Sequence, residues 1–521
     1  MYIYDCLYGK IDFDKIVYQC ILTPEMQRLR EVRLGNINSL FLTGSANINR
    51  FEHSVGTAYL AKINAEANLD KCNKKDKTLF ILAALFHDLA NGPFGHSYEY
   101  IQEKKGFIPE SNIGSVIRGE KTGSHKKQAL LEPIYLGEAN GIRKILKKDD
   151  IEYINSIVGG ENETFSKLIS DKIDLDNIDN VFRMAYHMGI EFNKQIPILI
   201  AQGLICQNNN VYFENAVIPY LYEWYAIRSK VYQMLLYNPQ DFAAKCMLAE
   251  AMDFALIKKN EQIKWYFTDN ELIQSIRKLG EEWINCRVKV KYIENEKYTI
   301  EKVDELLTKS EVADALAKDI LETCFHISVP DKALVKSSRK EEYTEIIFYS
   351  TTYIYEKKCL YKQIKTCINP SQIITRMMCG DLYQCVGIYK TTQLECYEIF
   401  SDYNSRQKIE RDCNTFLSEH IKDKNFIITF HAIIDKNKTN RQINVKTLSN
   451  EEINIGKPTN DVLIGIFIKS PSYGMAKGKT LSEERKEQLE KLLMIFLEKK
   501  GIHNISSCKL YDEVETLGTC N

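Results

Sequence analysis

The chain has 521 residues, and its 69 lysine and arginine residues nearly balance its 70 aspartate and glutamate residues. At about 150 residues per domain, this length predicts two to four domains. The near-zero net charge provides no global field for nucleic acid or an acidic membrane, so a phosphate site would have to be local.

The 15 cysteines are scattered without a CxxC pair, which is typical of reduced thiols in a cytoplasm. No apolar run reaches the roughly 20 residues of a membrane helix. The start of the chain lacks the basic end and apolar core of a signal peptide. We therefore expect a soluble, cytoplasmic protein without a membrane partner, and nucleic acid is not an expected partner.

Thr23 followed by Pro24 is typical of a helix N-terminus, where a capping residue precedes a residue with a preset φ. Further along, apolar residues three and four apart predict separate helices of one bundle. The segments with this spacing are residues 53–67, 77–90 and 173–186. A helical pair is predicted over residues 219–256.

An apolar run ends in His87 and Asp88 before the chain breaks at Gly92-Pro93. A charged carboxylate among apolar neighbours is costly unless a positive group neutralises it. His87 beside it offers a neutral nitrogen, so the pair is typical of two adjacent metal ligands. The alternative is a core histidine that is hydrogen-bonded to its neighbour.

His53, the pair His87-Asp88, Asp176 and the nearby Arg183 occur in this order along the chain. This order resembles that of the HD-domain metal-dependent phosphohydrolases. More narrowly, residues 5–189 resemble the dNTP triphosphohydrolases, the branch that includes the deoxyguanosine triphosphate triphosphohydrolases and the sterile-alpha-motif and HD-domain proteins. The matched pieces are Thr23-Pro24, Gln27-Arg28-Leu29-Arg30, Leu34-Gly35, Gly44, residues 50–56, His87-Asp88-Leu89, Gly92-Pro93-Phe94, His96 and residues 173–176.

The resemblance implies a mainly α fold: an HD-domain helical bundle followed by a smaller α+β C-terminal region. We expect an all-α HD phosphohydrolase domain at residues 1–270 and an α+β region at residues 271–521, which would serve oligomerisation or regulation. In the second part, patterns predict helices and alternating strands. The helices are at residues 270–282, 300–324 and 481–499, the last capped by Thr480 and Glu483, and the strands are at residues 345–354, 383–389, 425–434 and 461–468.

The resemblance also implies one divalent metal ion held by His53, His87, Asp88 and Asp176. Two imidazoles and two carboxylates leave a near-neutral site with open positions for water and a phosphate oxygen. This mixed set suits Mn, Fe, Zn, Co or Ni and, less well, Mg, so the identity of the metal stays open. Asp174 and Asp179 are expected to cap a helix or to pair structurally.

By the same resemblance, His125 and Glu99 form a proton-transfer pair, and Arg50, His96 and Arg228 bind substrate. Alternatives remain for several of these residues. His125 could be an exposed loop histidine, Arg50 could belong to a solvated helix face, and Arg228 could be stacked in a core of aromatic side chains.

The expected activity is metal-dependent hydrolysis of nucleoside or deoxynucleoside triphosphates to nucleoside and triphosphate, as in a dGTPase. The expected setting is dNTP pool control or antiviral defence, in a homo-oligomer with a possible nucleotide effector. The relatives carry other residues where Arg33, Asn180 and Met184 stand, and several residues that read the deoxyribose are not retained, which leaves the dNTP specificity open. They also carry histidine where Asn91 stands and glutamate where Lys126 stands, which keeps a protein without turnover among the alternatives. Alternatives are an HD phosphodiesterase or nuclease, and a nucleotide sensor that binds without turnover.

Overall fold

The computed structural model describes most of the chain, with gaps. The described residues are 1–35, 48–95, 141–253, 266–281, 284–293, 297–304, 334–339, 343–350, 370–421, 427–435, 438–439, 441–457, 461–469 and 481–508.

Sixteen α-helices lie within these described residues, and most of them precede residue 282. They are α1 Lys15–Ile21, α2 Pro24–Arg28, α3 Arg50–Asn68, α4 Lys74–Phe86, α5 Ile142–Ile145, α6 Lys148–Val158, α7 Ser166–Ile169, α8 Leu175–His187, α9 Ile196–Gln202, α10 Ile218–Leu236, α11 Pro239–Met252, α12 Asp269–Glu281, α13 Pro370–Met378, α14 Cys396–Ser401, α15 Tyr403–His420 and α16 Glu483–Lys499.

The strands of the described residues form small sheets in which neighbouring strands run antiparallel. They are β1 Tyr2–Asp5, β2 Gly9–Asp12, β3 Leu204–Gln207, β4 Asn210–Phe213, β5 Ile284–Ile293, β6 Lys297–Asp304, β7 Leu334–Arg339, β8 Tyr343–Ser350, β9 Gln384–Thr391, β10 Ile428–Ile434, β11 Ile443–Lys446, β12 Glu452–Ile455, β13 Val462–Ile468 and β14 Ser506–Ser507. The two four-stranded sheets have the orders β6-β5-β8-β7 and β10-β13-β9-β14.

Helix α3 packs against α4 and α8 in the centre of the bundle, so the three helices predicted by apolar spacing are confirmed. Each begins with an asparagine or aspartate whose side chain accepts a backbone N–H of the first turn. Asn49 caps α3, Asn73 caps α4 and Asp174 caps α8, as one of the two roles expected for Asp174. The helical pair predicted over residues 219–256 is confirmed as α10 and α11.

The C-terminal region has a core of its own, in which α14, α15 and α16 bury apolar residues against the sheet of β9, β10 and β13. The larger core of the bundle also includes α12 and α13. Buried ion pairs join the two parts: Arg406 of α15 lies 2.6 Å from Asp253 after α11, and Lys469 lies 3.0 Å from Glu250 of α11. The predicted fold class, a mainly α bundle followed by a smaller α+β region, is confirmed.

Two local predictions for this region were wrong. Residues 300–304, expected to be helical, belong to β6, because they pair with residues 287–290 of β5 in an antiparallel ladder that a charged local sequence does not reveal. Helix α16 is capped by Ser482, whose side chain accepts the Arg485 N–H, and the predicted cap Thr480 lies outside the described residues. No described helix is both long enough and apolar enough to span a bilayer.

Candidate metal centre

His53 lies in the first turn of α3 and is almost completely buried. Its Nδ1 is 2.7 Å from Asp179 Oδ2, and its Nε2 is 2.9 Å from Asp176 Oδ1. Because a carboxylate only accepts hydrogen bonds, Nδ1 must carry a proton. Nε2 faces Asp176, so once it gives up its proton to a metal ion its lone pair has the orientation that a metal ligand requires.

His87 follows the last residue of α4 and is held in the same way by a backbone group. Its Nδ1 lies 2.8 Å from the carbonyl oxygen of Ala84, so this nitrogen donates. Its Nε2 is buried without a hydrogen-bond partner among the described residues. A buried, unsatisfied ring nitrogen is costly, and a bound cation would satisfy it.

Asp176 lies in the first turn of α8 and places Oδ1 between the two histidines, 3.6 Å from His87 Nε2. Ligand atoms of His53, His87 and Asp176 all lie within 4.8 Å of one another. Two imidazole nitrogens and a carboxylate oxygen at this spacing fit one divalent transition-metal ion. The donor set is therefore compatible with the predicted cofactor, whose identity it does not select.

Asp88, the fourth predicted ligand, borders this group but is already engaged. Arg50 Nη1 lies 2.6 Å from Asp88 Oδ2, and Asn91 donates to Asp88 Oδ1 at 2.6 Å. Asp88 remains 3.7 Å from His87 Nε2 and 3.8 Å from His53 Nε2. Arg50, predicted to bind phosphate, is thus placed at the metal cluster with its guanidinium on a ligand carboxylate.

The electrostatics of the cluster depend on paired charges. Burial disfavours protonated His53, but hydrogen bonds to Asp176 and Asp179 outweigh it and raise its pKa to about 10. Burial also opposes ionisation of Asp88 and Asp176. Arg50 and the two histidines nevertheless hold the pKa of Asp88 below its usual range, and the two histidines do the same for Asp176. Without an ion, protonated His53 and Arg50 balance the two ionised carboxylates, and a bound cation would displace the Nε2 proton of His53 and keep that balance.

A buried ion-pair network supports His53 from behind. Asp179 receives both Nε and Nη2 of Arg183, at 2.9 and 3.0 Å, and both residues are inaccessible to solvent. Arg183 also contacts Asp5 at 3.0 Å and Glu52 at 2.6 Å. The structural pairing expected for Asp179 is therefore present. The contacts of Glu52 with Arg183 and of Asn91 with Asp88 were not predicted. The ion pair of Asp179 and Arg183 could have been, because a spacing of four residues places both side chains on one helix face.

Arg228, the second arginine predicted to bind substrate, is buried on α10 and packs against aromatic rings. Its Nη1 donates to the carbonyl oxygen of Lys438 at 2.7 Å, and its guanidinium lies 4.7 Å from the centre of the Tyr232 ring. Burial raises the pKa of Tyr232, and the negative charge of Asp176 adds to that shift. The predicted residues His96, Glu99 and His125 lie outside the described residues.

Comparison with known proteins agrees with this geometry. Residues 50–181, which span all four predicted metal ligands, match the family model described as HD domain. The chain contains an HD domain. The sequence resemblance to HD-domain dNTP triphosphohydrolases is thereby confirmed as a resemblance.

Among curated relatives of this HD-domain chain, deoxynucleoside triphosphate triphosphohydrolase SAMHD1 from Homo sapiens is 28% identical over 239 residues, covering 40% of this chain and 36% of that protein. Its homolog from Dictyostelium discoideum is 23% identical over 350 residues, covering 61% and 63%. Uncharacterized protein MG461 from Mycoplasma genitalium is 27% identical over 259 residues, covering 47% and 58%. The aligned region therefore spans only about a third of the human relative's length.

Among solved structures, a hypothetical protein from Aquifex aeolicus superposes with a TM-score of 0.52. The match covers 95% of this chain and 99% of that one at 15% identity. At this identity the likeness shows the fold alone.

Proposed function

We propose that this protein is a metal-dependent phosphohydrolase that converts nucleoside or deoxynucleoside triphosphates to nucleoside and triphosphate. The proposal rests on one observation: His53, His87 and Asp176 converge from three helices of an HD domain into one cation-compatible cluster. The printed names of the SAMHD1 relatives support the substrate class. We also propose that it acts as a cytoplasmic homo-oligomer under a nucleotide effector, in dNTP pool control or antiviral defence.

In this proposal His53, His87, Asp88 and Asp176 hold one divalent ion. When bound, the ion supplies Lewis-acid activation of water and of the phosphoryl group. The Nδ1 hydrogen bonds to Asp179 and to the Ala84 carbonyl keep both imidazoles with Nε2 towards the ion. Arg50, already beside Asp88, orients that carboxylate and offsets negative charge on the substrate phosphates.

The remaining roles belong to residues around the cluster. Arg228 would meet the phosphate chain from α10, an assignment that rests on the sequence resemblance. We assign His125 to proton transfer, Glu99 to its orientation and charge, and His96 to a phosphate contact. These three assignments rest on the sequence resemblance, since the residues lie outside the described part of the chain.

The direct test incubates purified protein with Mn²⁺ and a panel of NTPs and dNTPs, and separates tripolyphosphate, pyrophosphate and orthophosphate. We expect tripolyphosphate and nucleoside in equal amounts. The matched control replaces His87 and Asp88 by alanine, which should remove bound metal by elemental analysis together with activity. Pyrophosphate or orthophosphate as the sole product would contradict the proposed reaction, and undiminished metal in the double variant would contradict the ligand assignment.

A nucleotide sensor that binds without turnover is the second candidate, and the contacts made by Asp88 favour it. Arg50 and Asn91 occupy both carboxylate oxygens of Asp88, which weakens Asp88 as a ligand unless one of them moves. Binding of a nucleotide measured by calorimetry, with no product for any nucleotide or metal tested, would identify a sensor. In that case Asn91→His, which restores the residue of the relatives, should raise turnover from zero if Asn91 is the cause.

A further inference from the structure

A second group of potential ligands lies beside the first, and one of its members directly precedes His53 in the chain. It consists of Cys6 in the turn between β1 and β2, Glu52 in the first turn of α3, and His187 at the last residue of α8. The Cys6 sulfur is 3.6 Å from His187 Nε2 and 2.8 Å from Glu52 Oε1, and His187 Nε2 is 2.9 Å from the same oxygen. Three elements distant in sequence thus direct a thiol, an imidazole and a carboxylate to one point.

The chemistry of this group differs from that of the first cluster, because it contains sulfur. A tetrahedral zinc ion bound by cysteine and histidine separates the two ligand atoms by about 3.5 Å, given Zn–S near 2.3 Å and Zn–N near 2.0 Å. The 3.6 Å between Cys6 Sγ and His187 Nε2 matches that separation. The two contacts to Glu52 Oε1 are hydrogen-bond lengths, so the carboxylate would move back by roughly 0.5–0.8 Å to admit an ion.

Charge around the group also favours a cation. Asp5, Glu52 and Asp179 surround Arg183, and Asp179 also pairs with protonated His53, so three carboxylates face two cations. A divalent ion would balance the remaining negative charge. Asp179 holds Arg183 in a two-bond ion pair, and Arg183 Nη1 also donates to the Cys6 sulfur at 3.8 Å, a contact that a thiolate would strengthen. Cys6 is exposed and Glu52 and His187 are each about a fifth exposed, so an ion can enter from solvent.

Without an ion, the cysteine is a protonated donor. Burial of the sulfur and the adjacent Glu52 carboxylate raise the pKa of the Cys6 thiol to about 12. The thiol therefore hydrogen-bonds to Glu52 at neutral pH. An ion would replace this proton, releasing one H⁺ to solvent as the Cys6 sulfur becomes a thiolate ligand, while neutral His187 binds through Nε2.

We propose that Cys6, Glu52 and His187 form a second metal site for a thiophilic divalent ion such as Zn²⁺. The fourth position would be filled by water. An ion at this site fastens the β1–β2 hairpin to the ends of α3 and α8, next to the Arg183 network that supports His53. The inference does not depend on the activity proposed above, because it concerns different ligands and can be tested without substrate.

Cobalt(II) tests this site separately from the first, since only a thiolate ligand gives an intense sulfur-to-cobalt charge-transfer band in the near ultraviolet. The metal is first removed from the full-length protein with a chelator, and the apoprotein is titrated with Co²⁺. We expect the wild type to bind two equivalents and to develop the band. Cys6→Ser should lose the band and one equivalent of Co²⁺, with one fewer proton released.

Two controls make the assignment specific. Cys72→Ser, at a partly buried cysteine away from this group, should keep the full band and both equivalents. The His53→Ala and His87→Ala double variant should lose one equivalent but keep the band, because the first cluster holds no sulfur. A wild type without the band at saturating Co²⁺, or a Cys6→Ser protein with an undiminished band, would overturn the second site. His187→Gln with an unchanged band and stoichiometry would do the same.

Discussion

The buried pair of Asp179 and Arg183 offers a sharp test of how His53 is held. Asp179→Asn removes the charge of a carboxylate that contacts His53 Nδ1 at 2.7 Å and Arg183 at 2.9 and 3.0 Å, all without solvent access. Breaking a buried ion pair costs about 3–5 kcal/mol of unfolding free energy. Because asparagine keeps one acceptor oxygen, and Arg183 keeps Asp5 and Glu52, we expect a loss near 3 kcal/mol.

The same substitution should weaken metal binding. Loss of the group that orients a ligating histidine lowers metal affinity about 10- to 100-fold, which is about 1.4–2.7 kcal/mol. Stability is measured by urea unfolding in the presence of a chelator, and affinity by calorimetric titration of the apoprotein with Mn²⁺. The two measurements separate a weakened fold from a misaligned ligand.

Asp241→Asn is the matched control, at an aspartate of α11 that is equally buried. Neither of its carboxylate oxygens has a hydrogen-bond partner among the described residues, and burial raises its pKa to about 7. An amide there replaces a carboxyl that is only about half ionised near pH 7 and that accepts no hydrogen bond among the described residues, so metal affinity should stay unchanged and stability should fall less. A folded Asp179→Asn protein that binds Mn²⁺ as tightly as the wild type would refute the orienting role of Asp179.

Three further predictions follow from other parts of the chain. His125→Ala should leave metal content and substrate binding intact while lowering kcat about 10²- to 10⁴-fold, with a smaller loss for Glu99→Gln; a wild-type kcat would identify His125 as a surface histidine. Gly56→Ala should reduce the free energy of unfolding by about 1–3 kcal/mol and so lower the urea midpoint, because its Cβ would lie 2.1 Å from Asp179 Oδ1 and 2.2 Å from Arg183 Nη2. An unchanged midpoint would mean that the ion pair can shift at no cost. Burial and the cations Arg406 and Lys245 lower the pKa of His431 to about 3, so the folded state binds fewer protons than the unfolded chain below pH 6.5. The free energy of unfolding should then fall as the pH drops from about 6.5 towards 3, by up to about 1.4 kcal/mol per pH unit. In His431→Gln, the free energy of unfolding measured at several pH values should depend less steeply on pH. An unchanged dependence would mean that His431 is protonated in the folded state.

The sequence alone was sufficient to locate several helices of the bundle. Apolar residues three and four apart mark one face of a helix, and this local spacing predicted α3, α4 and α8 as well as the helical pair α10 and α11. The order of His53, His87-Asp88 and Asp176 also indicated the HD domain, because the residue types and their order can be recognised without knowing the fold. Local signals were weaker further on, where β6 was taken for a helix and Ser482 was missed as a cap.

Only the tertiary structure decided what each side chain of the cluster contacts. The bond between His53 and Asp179 joins residues 126 positions apart, and helix spacing carries no information about such a contact. Packing likewise placed Arg50 and Asn91 on Asp88, and brought Cys6 to Glu52 and His187. Periodicity fixes which residues share a helix face, whereas the approach of two faces depends on the burial of all their neighbours. The candidate ligands could therefore be named from the sequence, but their hydrogen-bond partners and the second cluster could not.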